Sequence, residues 1–493
     1  MGSTNENNSK QLPPPMDQTY RMFGRRTLLS SAREITRDNV VEVLQNALSD
    51  FALNQSEISY LYDYYRGKQP ILHRTKPVRP EICNRIVENR ANEIVSFKVG
   101  YYCGEPIQYV ARDGKAEALE GISTLNSYMF AEDKAAKDQE LVEWQMICGT
   151  AYRMILPDPE NDRDEAPFEI YTLDPRQTFI VYSTELGNPP LMAVLCRIND
   201  REGQSYDIYT RDRIYYLDDL QIVREEPHPL GGIPVFEYPA NNARLGAFEI
   251  VLPLLDKINN LESNRMDGIE QTVQAFIKFI NCDISPEEYT DFLARGAIKV
   301  KSSEGLPADV DVVKNTLDQQ QSETVKEDTY NAILTICGMP NRNGGSSTSD
   351  TGTAVLLRDG WSAAEARAKD FEHMFKKAEK QMLKLVLRLC RDLRDIDLRL
   401  RDIDMKFTRR NYEAVQSKAQ VLISMLGCPD IAPLLAFEHC GLFSDPESAY
   451  AMSEKHKLEL AANADEEVRE DDKTQNSQTS ITGNEREDSN GDD

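Results

Sequence analysis

The middle of the chain constrains its fold most strongly: two helical segments separated by a compact insert, then a polar loop and a longer helix. The first segment runs from about Phe248 to Ile280, with Ile250, Leu254, Ile258, Leu261, Ile269, Val273, Phe276 and Ile280 at helical spacing. As one helix of about 33 residues it would span roughly 50 Å. The insert covers Asn281 to about Thr316, and a second helix is expected over Gln319–Cys337. A Gly/Ser/Thr loop then fills 338–352, and another helix is expected from Thr353. Two helices that leave a body, carry a small module and return to a polar loop describe a protrusion. That shape belongs to a machine part rather than a closed enzyme pocket.

Within the insert, Ser285-Pro286-Glu287-Glu288 is a helix start, with serine at the cap and proline at the first position. Ala297–Lys301 and Val310–Val313 read as two strands. From Ala354, apolar residues fall in steps of three and four through Leu357, Trp361, Ala364, Ala368, Phe371, Phe375, Ala378, Met382, Leu385 and Leu389. The alanines in that seam favour a long helix packed along one body over a free coiled coil.

Upstream, helices are expected over Val40–Phe51, in the Tyr-rich stretch ending at Gly67, over Pro80–Lys98 and over Asp133–Ile147. Gly100–Pro106 reads as a turn and Ile107–Val110 as a strand. Between Ala151 and Phe236 the period shortens to that of strands: Tyr152–Leu156, Phe168–Tyr171, Thr178–Tyr182, Leu191–Arg197, Tyr206–Thr210 and Arg213–Leu217. Downstream come a strand at Asp402–Phe407 and helices near Tyr412–Leu426, Asp430–His439 and Pro446–Ala462. The fold class is therefore α+β with several domains.

The formal net charge is −25. Residues 463–493 hold 11 Asp/Glu against 3 Lys/Arg, so this acidic tail, expected to be disordered, accounts for −8 and leaves −17 on the rest. Proteins that grip duplex DNA neutralise its phosphates with Lys and Arg, and this chain as a whole cannot. No stretch approaches the roughly 18 apolar residues of a membrane span, so no membrane partner is expected. The Met1-Gly2 opening matches a myristoylation pattern only weakly and lacks a signal-peptide core. Nine cysteines without a C-x-x-C pair indicate reduced thiols rather than a zinc or disulfide framework.

No catalytic motif is present: no G-x-S-x-G, no Walker A loop, no H-E-x-x-H. His73, His228, His373, His439 and His456 are never at ligand spacing. The Asp395-Ile396-Asp397 and Asp402-Ile403-Asp404 repeats are the sole support for a metal-dependent nuclease. Interleaved arginines explain them more simply as surface salt bridges. No catalytic residue, metal or cofactor is assigned. The 338–352 loop joins helix to helix and has no lysine, which argues against a nucleotide cradle.

Three short motifs carry a family resemblance: Tyr64-Tyr65-Arg66-Gly67-Lys68-Gln69-Pro70-Ile71-Leu72, Asn84-Arg85-Ile86-Val87 running into Lys98-Val99-Gly100-Tyr101, and Gly104-Glu105-Pro106-Ile107. With the helix–insert–helix–loop–helix order, the chain resembles the portal proteins of tailed bacteriophages over roughly residues 40–460, most closely the family typified by the portal of Bacillus phage SPP1. The resemblance implies a ring of about twelve copies at one capsid vertex of the virion, assembled in the bacterial cytoplasm. Double-stranded DNA would be packaged through it and later ejected. The implied parts are a flexible arm (1–38), a wing (39–258), stem helix 1 (259–281) and a small α/β clip (282–317). Stem helix 2 (318–337), the tunnel loop (338–352), a long wing helix and strand (353–410), a helical crown (411–462) and the tail (463–493) complete the chain. Implied partners are the terminase large subunit, a head-completion or adaptor protein, and the major capsid and scaffolding proteins.

On this reading Asn341, Arg342, Asn343, Ser346, Ser347 and Thr348 of the tunnel loop approach DNA, as do Lys278, Lys299 and Lys301 of the stem and clip. Twelve copies would bring on the order of −300 charges, and an acidic bore keeps DNA sliding rather than bound. The alternatives are a structural capsid-associated coiled-coil protein and the metal-dependent nuclease.

Overall fold

The computed structural model describes residues 24–112, 116–158, 165–198, 203–273, 276–281, 285–287, 290, 307, 309–313, 319–341, 360–394, 396–409, 415–443, 446–447 and 449–460. In chain order its elements are β1 (Leu28–Ser30), α1 (Val40–Tyr65), α2 (Arg90–Cys103), β2 (Gln108–Ala111), α3 (Ala116–Ala131) and α4 (Lys134–Cys148). Eight strands follow: β3 (Thr150–Pro157), β4 (Phe168–Leu173), β5 (Thr178–Ser183), β6 (Pro190–Ile198), β7 (Gln204–Tyr209), β8 (Arg213–Asp218), β9 (Gln221–Pro227) and β10 (Val235–Pro239). The central region is α5 (Leu252–Val273), β11 (Phe276–Ile280), β12 (Asp309–Val313) and α6 (Gln319–Cys337). Then come α7 (Trp361–Arg394), β13 (Ile403–Lys406), α8 (Val415–Leu426) and α9 (Pro433–Cys440).

The described residues form two compact units, one of residues 1–104 and 129–396, the other of 105–128 and 397–493. In the larger unit, a six-stranded sheet runs β1-β5-β6-β7-β8-β9 and a three-stranded sheet runs β10-β3-β4. Strand alternation divides the large sheet between two cores. Phe179, Val181, Met192, Val194, Tyr206 and Ile208 pack with Val40, Leu44 and Phe51 of α1. The oppositely facing Ile180, Ala193 and Tyr209 pack with Tyr152, Met154 and Val235 of the small sheet. The predicted seam of α7, from Ala364 through Leu389, is buried, and the helix packs on β10, β3 and α2. A buried ionic cluster fixes it there: Glu379 meets Lys134 at 2.9 Å and accepts from the Tyr238 hydroxyl, while Asp138 bridges Lys134 and Arg153. Removing one partner would strand an uncompensated charge.

In the smaller unit β2 pairs antiparallel with β13, Ile403 opposite Ala111, and Asn126 bonds both backbone groups of Tyr109. Residues 105–128 thus group with residues 397–493, because the partner of β2 lies almost three hundred positions away. Phe437 of α9 stacks on Phe443 at 5.2 Å.

Several expectations are corrected. The helix expected over Phe248–Ile280 ends at Val273, and Phe276–Ile280 is instead a strand paired with Asp309–Val313. Apolar residues at 276, 277, 279 and 280 suit either period, and pairing with β12 decided it. The expected strand Ala297–Lys301 and helix turns 353–359 lie outside the described residues; α7 is described from Trp361. The helix expected over Pro80–Lys98 begins only at Arg90. It then continues through the expected turn to Cys103. The two helical stretches before Gly67 are one helix. Residues 28–30, assigned to a flexible arm, form a strand parallel to β5, and Arg25 is buried between Glu57 and Glu249. Strands β9 and β10 were not read, because charges in Arg224-Glu225-Glu226 and Pro239 mask their alternation.

Candidate functional site

The residue motifs near 64–72 and 84–89 converge on one face of α5. Asn259, Ser263 and Asp267 stand four residues apart, all buried. Each accepts a backbone N–H from an extended segment: Glu88 to Asn259 Oδ1 at 2.8 Å, Ile86 to Ser263 Oγ at 3.0 Å, Asn84 to Asp267 Oδ1 at 2.7 Å. The spacings match, since four helical residues advance about 6 Å and two extended residues about 6.6 Å. The helix therefore replaces a missing strand as hydrogen-bond partner, which explains why residues 84–88 are not helical.

The first motif closes the top of this ladder. Gly67, at φ +92°, ends α1, with the Gly67 N–H donating to the Tyr64 carbonyl and the Lys68 N–H to the Asp63 carbonyl. The turn delivers Gln69, whose amide donates to Asn89 Oδ1 at 3.0 Å and whose carbonyl accepts from the Asn259 amide. Asn89 caps α2 and donates to the Tyr65 carbonyl at 2.8 Å. At the other end Arg74 and Lys76 both meet Asp267 at 3.0 Å. Burial opposes ionisation of Asp267, but the Asn84 N–H and both cations outweigh it and hold its carboxyl below the usual range.

α6 packs beside α5 through charge. Lys326 reaches Glu262 at 2.8 Å and Glu88 at 3.2 Å; Arg265 reaches Glu262 at 2.9 Å and Glu323 at 2.6 Å. Partial burial raises the Glu262 carboxyl, yet Lys326 and Arg265 together bring it below the ordinary value. Arg90 lies over the Tyr330 ring at 4.2 Å, and the Tyr330 hydroxyl donates to Glu93 at 2.7 Å. The α5–α6 pair is thus clamped onto the start of α2 and the extended segment.

The base of the polar loop is equally built. α6 ends at Gly338, φ +64°, followed by buried Met339 and Pro340. Buried Lys98 of α2 donates to the terminal Cys337 carbonyl at 2.8 Å, placing a cation at a helix C-terminus. Burial, reinforced by Arg367, lowers the Lys98 ammonium below the usual lysine range. A Cβ on Gly360 would sit 3.6 Å from the Met339 carbonyl oxygen, so the chain returns to where it left. Trp361 then packs on Phe97 and Tyr101 of α2, at 6.2 and 5.9 Å between centroids. One helix, α2, anchors both loop ends.

A family model of phage portal proteins, SPP1 Gp6-like, matches residues 46–471. The chain belongs to that portal family. The family is structural rather than enzymatic. Among solved structures, this chain is similar to chains in three structures of gene transfer agent particles. One is the neck of an empty particle computed with C6 symmetry, at 12% identity over 71% of this chain and 90% of that one, TM-score 0.40. Another is the virion of the native particle, at 13% identity over 71% and 89%, TM-score 0.42. The third is the native neck computed with C12 symmetry, at 12% identity over 72% and 91%, TM-score 0.41. Comparison with curated proteins gave no match.

Of the portal residues expected near DNA, Asn341 lies at the loop base, half-buried, its amide donating to Asn331 Oδ1 at 3.0 Å. Lys278 sits on β11 opposite Asp311. Arg342, Asn343, Ser346, Ser347, Thr348, Lys299 and Lys301 lie outside the described residues. Sequence reasoning missed the Asn259-Ser263-Asp267 ladder because it followed the apolar stripe of α5; polar residues at a strict four-residue step were the available signal. Among the described residues no group of three or more His, Cys, Asp or Glu is arranged to hold a metal. Asp397 and Asp402 each face an arginine, Arg399 at 3.9 Å and Arg401 at 3.7 Å.

Proposed function

We propose that this portal subunit assembles into a ring of about twelve copies at one capsid vertex, through which terminase drives double-stranded DNA inward and from which it later leaves. The observation that carries the reading is the α5–α6 pair, which bears a two-stranded module at one end and a closed polar loop at the other. In the ring, α5 and α6 form the stem, the β11–β12 module the clip that receives terminase and then a head-completion protein, and 338–352 the loop facing DNA. Asn341, Arg342, Asn343, Ser346, Ser347 and Thr348 make transient contacts there, and Lys278, Lys299 and Lys301 make them in the stem and clip. The excess of carboxylates keeps these contacts weak. The major capsid protein surrounds the ring at its vertex, and scaffolding protein assists its assembly.

Two variants test this. Deletion of residues 276–313 with a short linker is expected to leave rings intact and abolish terminase-driven packaging; normal packaging would overturn the clip assignment. Arg342→Ala is expected to slow packaging, and full genomes packaged at the normal rate would remove Arg342 from the DNA path.

A further inference from the structure

A cleft of about 630 Å³ opens in the larger unit between α7 and β10. Its floor is apolar, with Leu230, Ile233 and Leu385. One wall carries Lys377, Lys384 and Arg388, exposed on a single face of α7, and none of the three meets a carboxylate among the described residues. Lys384 donates to the neutral Gln381 side chain at 2.9 Å, and Arg388 donates to the Leu230 carbonyl. In a chain of net charge −25, such an unneutralised cationic wall over an apolar floor is conspicuous.

A surface of the opposite character lies on α4 of the same unit. Phe130, just before this helix, is 86% exposed. Asp133 makes no side-chain capping bond, and it stands exposed with Glu140 on one face of the helix. Neither carboxylate meets a cation among the described residues. Ala136 between them is exposed as well, and its small side chain leaves room for a close helix approach. Asp133 and Glu140 are seven residues apart, about 10.5 Å along a helix, and so are Lys377 and Lys384.

The two faces point away from each other. α7 turns Glu379 toward Lys134 of α4, at 2.9 Å, and Glu379 lies about half a turn around the helix from Lys377, Lys384 and Arg388. α4 likewise buries Lys134 and Asp138 and leaves Asp133, Ala136 and Glu140 outside. Neither face can serve the other within one copy. A contact between unlike faces of successive copies is the kind that closes a ring.

We propose that the α4 face of one copy docks on the α7 cleft of the next. This contact rests on the ring reading above and names what joins neighbouring copies. With the helices antiparallel, Asp133 meets Lys384, Glu140 meets Lys377, and Phe130 enters the cleft beside Arg388, over Leu230 and Leu385. An aromatic anchor on an apolar floor supplies affinity, and the paired charges fix partner and register.

The test uses two variants of the full-length chain, each with its scaffolding protein, and reads ring yield by light scattering. One variant carries Lys377→Glu and Lys384→Glu, the other Asp133→Lys and Glu140→Lys. Each alone brings like charges together and is expected to lose about tenfold or more in ring yield. Mixed in equal amounts they restore opposite charges at every contact, and rings should return to within about twofold of wild type. Full yield from either variant alone, or no recovery on mixing variants that melt like wild type, overturns the contact and leaves the ring reading standing. A wild-type chain that forms no ring removes both. A second measurement leaves the charges alone. Ala136→Cys and Gln381→Cys, mixed as separate single variants under assembly conditions with a short bis-maleimide, are expected to give a covalent dimer absent from either alone. No such dimer would also overturn the contact and show that something other than a second copy fills the cleft.

Discussion

At the scale of single residues, Asp267 does the most per atom. It holds the Asn84 N–H and amide, Arg74 and Lys76. Asp267→Ala is expected to cost about 2–4 kcal/mol in denaturant unfolding, because it strands a half-buried N–H and two cations. A cost no larger than that of Lys369→Ala, on the exposed face of α7, would refute the ladder. The folded carboxyl is held below its ordinary value of 3.8, so its stabilising effect is fully present above that pH and is lost as pH falls through the folded value. Glu249 runs the other way. Burial raises its carboxyl to about 7, with Arg25 and the Gly246 N–H limiting the rise. The folded state then binds that proton more tightly than the unfolded chain, so this contribution is complete below pH 4.5 and is lost as pH rises through about 7. Glu249→Gln should flatten the melting temperature between pH 5 and 8; an unchanged pH profile would contradict the assignment.

At the scale of elements, what the sequence revealed depended on who supplies each partner. The α7 seam was legible because Ala364 through Leu389 bury against neighbours at helical period whatever those neighbours are. Residues 80–89 were not, because Ile82 and Ile86 sit at helical spacing while the hydrogen bonds come from α5, far away in sequence. β11 was misread for the same reason, its partner lying at the far end of the insert. The loop was legible as a loop, but its anchoring on Lys98, Gly338 and Gly360 was not, since no local pattern marks a buried lysine aimed at a helix end. Gly338→Val tests that anchoring. Its φ of +64° and a Cβ position 2.8 Å from Arg367 Cγ predict a loss of about 1–3 kcal/mol. Unchanged stability would mean that the loop base tolerates another path.

At the scale of the whole molecule, two facts of different kinds meet: membership of a portal family, and a charge of −25 per copy. Twelve copies would carry on the order of −300 charges, which suits a conduit and not a DNA clamp. Purified rings should therefore bind duplex DNA weakly, with an affinity that falls little between 50 and 200 mM salt; a steep fall would signal many phosphate contacts. The central claim, however, is the ring itself. The decisive measurement is the mass of the purified protein by light scattering, with negative-stain images of the same peak, for the protein alone and with its scaffolding protein. The account predicts particles of about twelve subunits with a central hole in at least the second sample. A compact dimer without a hole in both would contradict it.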